Sequence, residues 1–332
     1  MNRSPVSRLL AAGTLALAVL AAPSAYAGPF GALFVFGDSL SDSGNNAAVL
    51  GTDPGQVVTG KSYVPTNPYA AGTYSNGPVW ASYFANALGV PLAPSLAGGG
   101  NFAFGGATTG AGSPLPSLLA QTGQYLGATG GVASANALYV IAGGGNNARA
   151  ALGAMAAQPA NALAIAAGAA ASFAADIGTM VDQLQAAGAQ HIVVWNTPNL
   201  GLAPAVASTG FGGTGSFLAG LMNGALATRL SGEAGVSTFD LFGFGSQIAA
   251  DPTAYGFADV TNACGAIANA NCSQYAYWDG IHPTTAAHQA IAGAMFVATV
   301  PVPEPETYAL MAFGLVAVAW GVRRRAKVAL TA

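Results

Sequence analysis

Short apolar runs that stop at glycine, separated by stretches long enough for a helix, constrain this chain more than any other feature. Leu33 to Phe36 ends at Gly37, and Ala137 to Ala142 ends at Gly143-Gly144-Gly145. His191 to Trp195 is followed by Asn196-Thr197-Pro198, and Val236 to Leu241 is a fourth run. Such runs fit strands buried on both faces. Between them, Pro78 to Leu88 reads as a helix, with proline near its first turn and Gly89 at its end. Asn161 to Ala187 is alanine-rich, with Ile165, Phe173, Ile177, Met180, Val181 and Leu184 close to one stripe. Phe217 to Leu230 and Thr284 to Val297 are further helices. The alternation predicts an α/β fold: a three-layer α/β/α sandwich around a mainly parallel central sheet. Active residues should then gather at the carboxyl ends of the strands. Leu50 to Gly77 and Gly201 to Gly215 are rich in turn formers and read as binding loops or lids.

The two ends stand apart from this pattern. Arg3 and Arg8 precede an apolar run from Leu9 to Ala22, and Ala25-Tyr26-Ala27 follows. A basic start, a short apolar core and small residues two apart describe a secretory signal peptide, residues 1–27, taken by Sec-type export machinery and cut after Ala27. At the other end, Val302-Pro303-Glu304-Pro305-Glu306 leads into an apolar run from Tyr308 to Val322, then Arg323, Arg324, Arg325 and Lys327. This order resembles the PEP-CTERM sorting tail of Gram-negative bacteria. The resemblance implies recognition of residues 301–332 by an exosortase, at the periplasm or outer surface. A plain C-terminal anchor, with its arginines on the cytoplasmic side, is the alternative. Either way the body, residues 28–300, lies outside the cytoplasm.

Two of the nine basic residues lie in the leader and four in the tail, which leaves Lys61, Arg149 and Arg229 in the body. Glu304 and Glu306 belong to the tail, so ten acidic residues face those three. Such a surface has no electrostatic footprint for nucleic acid or anionic lipid head groups. It also disfavours strongly anionic substrates. A body of about 270 residues suffices for one large domain. Cys264 and Cys272, eight positions apart in an exported chain, read as a disulfide closing a small loop, with two free thiols as the alternative. No histidine or further cysteine accompanies them at ligand spacing, which argues against a metal site.

The residues that carry chemistry start at Phe34-Val35-Phe36-Gly37-Asp38-Ser39-Leu40 and continue to Asn46. A serine directly after a strand, on a tight glycine turn, is displayed as a nucleophile would be. The helix that follows is expected to aim its amino-terminal amides at the reacting carbonyl. The Gly-x-Ser-x-Gly pattern of another hydrolase class is absent. Gly37-Asp38-Ser39-Leu40 resembles the signature of the GDSL (SGNH) esterase family, whose later blocks appear here in order. Trp278-Asp279-Gly280-Ile281-His282-Pro283 matches its Asp-x-x-His block. Asn101 to Ala107 resembles its second block and Gly144-Gly145-Asn146-Asn147 its third, with Asn147 in place of the usual aspartate.

The resemblance spans about Phe34 to Ile291 and implies a flavodoxin-like sandwich. It gives Ser39 as nucleophile, His282 as its base and Asp279 as the group that orients His282. An oxyanion hole would comprise the Ser39 amide, the Gly106 amide (with Gly105 as the alternative) and the Asn146 side chain. Of the other two histidines, His191 opens a strand, and His288 lies on the last helix, on its surface or against the sheet. The implied reaction is hydrolysis of a carboxylic ester (lipid, short acyl or acetylated sugar) with no cofactor or metal, and acyl transfer to another acceptor is within the family's range. A surface-associated binding module with little or no turnover is the other function class. A nucleotide site at Gly143-Gly144-Gly145 is not supported, since that run opens neither a Gly-x-Gly-x-x-Gly nor a Walker pattern.

Overall fold

A computed structural model describes residues 29–59, 66–110, 115–300, 310 and 312–320. The leader expected at residues 1–27 lies outside the described residues, as does most of the tail, of which residues 312–320 are helical.

Six strands are present among the described residues: β1 (Ala32–Gly37), β2 (Ala137–Ala142), β3 (His191–Trp195), β4 (Val236–Phe239), β5 (Asp259–Ala263) and β6 (Tyr275–Tyr277). The α-helices of the body are α1 (Asn45–Leu50), α2 (Trp80–Leu88), α3 (Leu118–Ala128), α4 (Gly145–Ala157), α5 (Ala162–Ala186), α6 (Pro204–Ala207), α7 (Gly212–Arg229), α8 (Leu241–Ala250) and α9 (Thr285–Thr299). The first four strands form one parallel sheet in the order β1-β2-β3-β4. Beyond β1, residues 100–104 run alongside it: Val35 donates to Gly100 O, and Phe102 and Phe104 donate to Val35 O and Gly37 O. The Val35–Asn101 bridge is parallel. With that segment counted as an irregular edge strand, second along the chain, the order becomes the flavodoxin-like 2-1-3-4-5. The chain therefore changes direction across the sheet beside β1, and the crevice at such a point is where α/β sheets hold ligands.

Both faces of the sheet are covered, which explains why β2 is buried at every position. On one face, Tyr139, Ile141 and Val194 pack with Leu118 of α3, Leu152 and Met155 of α4, Phe173 and Ile177 of α5, and Leu218 and Met222 of α7. On the other, Leu33, Val35, Val140 and Trp195 pack with Trp80 and Phe84 of α2 and Ile291 and Met295 of α9. Full burial of one such side chain stabilises by about 1.5–3 kcal/mol. This is the predicted three-layer α/β/α sandwich.

The expected helix from Asn161 to Ala187 is α5 nearly residue for residue, and Gly89 ends α2 in a left-handed conformation. Two expectations shift. The run from Val236 to Leu241 splits, because Asp240 caps α8 by accepting from Gly243 N–H. Helix α7 begins at Gly212 rather than Phe217, so the expected loop Gly201 to Gly215 contains α6 and the first turn of α7. The glycines there serve close approach: a Cβ on Gly201 would strike Gly212 O and Ser216 Oγ, and one on Gly215 would crowd the Gly201 backbone. Cys264 and Cys272 are joined by a disulfide, their Cα atoms 5.5 Å apart.

Candidate active site

Ser39 follows β1 by two residues, and its turn is fixed from several sides. Ser41 and Asp42 amides both donate to Asp38 O at 3.0 Å, and Leu40 N–H donates to Asp38 Oδ1 at 3.0 Å. Buried Gln121 of α3 clamps the strand end, accepting from Gly37 N–H at 2.8 Å and donating to Gly37 O at 2.9 Å. The helix after Ser39 does not serve the site as expected. The amides of Asn45 and Asn46, which open α1, donate instead to the Asp42 carboxylate, together with Gly44 and Gly105. Asp42 is buried and saturates those donors, so the amino end of α1 is spent on bracing the loop. The helix end that faces the cleft is that of α4, which begins at Gly145.

Asp279 and His282 arrive on the loop between β6 and α9. Trp278 N–H donates to His282 O at 2.8 Å, and Thr284 caps α9 by accepting from Ala287 N–H. Asp279 Oδ1 accepts the amides of Ile281 and His282 at 2.8 and 2.7 Å. Asp279 Oδ2 lies 2.7 Å from His282 Nδ1, and His282 Nε2 lies 2.8 Å from Ser39 Oγ. All three residues are buried. Burial alone would raise the Asp279 pKa, but the His282 ring and the two amides outweigh it and hold the carboxyl below its ordinary value. With that carboxylate on Nδ1, the imidazole presents Nε2 to the serine as a proton acceptor.

Tyr69, from the irregular stretch Leu50 to Gly77, donates its hydroxyl to Asp279 Oδ2 at 2.8 Å. The Tyr74 ring stacks on the His282 ring with centroids 5.5 Å apart. No periodicity marks either tyrosine in the sequence. Asp38, which the sequence shows as part of the Gly37-Asp38-Ser39-Leu40 signature without a role of its own, lines the cleft; burial pushes its carboxyl up to about 6 against the Leu40 amide and the His282 and Arg149 charges.

The second and third blocks meet through Asn146, which lines the cleft with Ser39. Gly106 has φ +80° in a turn closed by Ala107 N–H to Phe104 O at 3.1 Å, a conformation that suits glycine at the third turn position. Gly105, the alternative donor, has its amide committed to Asp42 Oδ2 at 3.0 Å. Asn146 lines the cleft and donates one Nδ2 hydrogen to Ala107 O at 2.9 Å, which ties α4 to the Gly106 turn. Its amide group carries a second hydrogen. Asn147 braces the loop, accepting Thr109 N–H and donating to Thr109 Oγ1, each at 3.0 Å. Thr109 Oγ1 in turn donates to Asp176. His288 is buried, with its Nδ1 unpartnered among the described residues and its pKa lowered by burial to about 3. His191 is exposed at the start of β3.

A serine, an imidazole and a carboxylate in line at the carboxyl edge of a parallel sheet form the arrangement used by serine hydrolases. Residues 33–295 match the family described as GDSL-like Lipase/Acylhydrolase, and residues 301–325 match the PEP-CTERM protein-sorting motif. The chain belongs to the GDSL-like lipase/acylhydrolase family. It is 31% identical over 333 residues to an uncharacterized protein in the trpE-trpG intergenic region of Pseudomonas putida, covering 88% of this chain and 52% of that protein. It is 30% identical over 353 residues to Esterase EstA of Pseudomonas aeruginosa, covering 88% of this chain and 50% of the relative. Over 201 residues it is 32% identical to Lipase 1 of Photorhabdus luminescens, covering 60% of this chain and 27% of that one. The chain thus spans about half the length, or less, of these curated relatives.

Proposed function

We propose that the chain is an exported carboxylic-ester hydrolase working through an acyl-enzyme on Ser39. The observation that carries this reading is the continuous line Asp279 Oδ2, His282 Nδ1, His282 Nε2, Ser39 Oγ, with contacts of 2.7 and 2.8 Å. In the proposed reaction His282 takes the Ser39 proton as Oγ attacks the ester carbonyl. The resulting oxyanion is held by the amides of Ser39 and Gly106 and by Asn146 Nδ2. His282 passes its proton to the leaving alkoxide, and water attacks the acyl-enzyme by the same route. Water is the expected acceptor; transfer to another alcohol would follow the same steps. Leu200, Leu202, Leu241, Phe244 and Ile248 wall the cleft beside Ser39, which supports an aliphatic acyl portion over a bare acetylated sugar. The sorting motif at residues 301–325 supports export to the cell envelope and handling by an exosortase.

A fluorophosphonate probe tests the nucleophile: stoichiometric labelling at Ser39 of the native protein is expected, and an unlabelled Ser39 would favour a binding module. Removing the Asn146 donor is expected to lower kcat on p-nitrophenyl butyrate about a hundredfold. An Asn146→Ala protein with wild-type kcat would exclude that residue from the oxyanion hole. Tyr69→Phe deletes one hydrogen bond to a buried carboxylate; a fall in kcat of about tenfold with KM unchanged is expected. A change confined to KM would place Tyr69 in substrate binding instead.

A further inference from the structure

Of the body's two basic residues among the described residues, one stands in the cleft. Arg229 is spent elsewhere, bridging Asp182 and Glu233 at 2.6 Å each. Arg149 is half-buried on α4 and lines the cleft with Ser39, Asn146 and His282. Its guanidinium donates a long hydrogen bond, 3.3 Å from Nη1 to the neutral Asn146 Oδ1. Among the described residues no carboxylate lies within ion-pair distance of it. Asp38 and Asp279 act on it only through space. Asp38 Oδ1 accepts the Leu40 amide, and Asp279 accepts two amides, the His282 ring and the Tyr69 hydroxyl.

A guanidinium carries five N–H donors in a planar fork suited to carboxylate and phosphate. Keeping it partly desolvated without an anion is costly, and burial accordingly pulls its pKa below the ordinary value. Its position adds direction. Arg149 and Ile281 line both the cleft and a second, more open groove walled by Leu152, Ala156, Val206 and Phe211. Arg149 therefore lies between two adjoining, largely apolar grooves, one of them containing Ser39.

We propose that Arg149 is the receptor for an oxyanion, carboxylate or phosphate, carried by the substrate near its scissile ester, so that the substrate is an anionic amphiphile. This rests on the ester-hydrolase reading. It also reverses the inference drawn from composition. The scarcity of lysine and arginine made anionic substrates look disfavoured, yet one of the few cations, Arg149, lines the cleft itself.

Calorimetric titration of the full chain carrying Ser39→Ala tests the proposal without turnover, using octyl phosphate, octanoate and 1-octanol as probes. At least one anion is expected to bind about tenfold or more tightly than octanol. Adding Arg149→Gln should erase that preference while octanol affinity holds, and Arg149→Lys should keep part of it. A preference for octyl phosphate assigns the phosphate, and one for octanoate the carboxylate. Equal affinity for all three probes, or equal weakening of all three by Arg149→Gln, overturns the receptor role; the latter would make Arg149 a positioning residue for Asn146. Should Arg149→Gln fail to fold, Arg149→Lys and the probe preference of Ser39→Ala alone decide. An unlabelled Ser39 in the fluorophosphonate experiment would sink the hydrolase reading while leaving these affinities to be read separately.

Discussion

Ser39→Ala is expected to lower the hydrolysis of p-nitrophenyl butyrate by at least about ten-thousandfold in kcat, with the protein still folded. The size follows from how the three side chains depend on one another. Without the hydroxyl there is no acyl-enzyme, and the His282 imidazole has no proton to take at 2.8 Å. Groups acting as one unit lose most of their effect when any member is removed, so the losses do not add. His282→Ala should therefore fall as far as Ser39→Ala, and the double variant should fall no further. Far-ultraviolet circular dichroism checks the fold of each variant, and turnover at several enzyme concentrations excludes a contaminating esterase. Retained activity in Ser39→Ala would end the nucleophile assignment. A double variant ten times slower than either single one would mean that Ser39 and His282 act independently.

The largest effect on stability is expected at Asp42. Its two oxygens accept four backbone amides, from Gly44, Asn45, Asn46 and Gly105, at 2.7 to 3.1 Å. Asp42→Ala leaves those donors facing each other in a buried space, at about 1–3 kcal/mol for each one that water does not reach. A loss of about 4 kcal/mol or more is expected, which corresponds to a fall in Tm of about 10 °C for a domain of this size. Activity should fall as well, because Asp42 ties the segment after Ser39 to Gly105, next to the proposed Gly106 donor. Thermal unfolding followed by circular dichroism measures it. An Asp42→Ala protein that melts within about 2 °C of the wild type would show that the loop is braced by other means. Asn45 and Asn46 are the obvious ones, since their side chains also reach Asn101 O, Ala103 O and Gly105 O.

Much of this was legible in the sequence, for a reason that also marks the limit. The strands buried on both faces are apolar throughout, so β1, β2 and β3 stand out against their glycine boundaries. Asp279 and His282 are close in sequence because one loop turn delivers both, so a local pattern reveals them. Helix α4 was missed although Ala148, Ala151, Leu152 and Met155 form its buried stripe. Alanine serves on both its faces, and the Gly144-Gly145 start reads as a turn. Helix α3 carried a readable signal in Ser117, whose side chain caps it. Tyr69 could not be read, because it meets Asp279 across 210 residues from an aperiodic loop. The same holds for Arg149: composition counts a cation, and only the fold shows which cavity it stands in.

The Ser39 hydroxyl and the His282 ring touch across 243 positions of chain. A polypeptide delivered amino end first thus presents its reactive alcohol early and receives the matching base only when nearly all of the domain has emerged. Until then the hydroxyl is an ordinary one, and esters along the route of synthesis are safe from it. The wiring of the fold thus couples assembly of the site to completion of the domain.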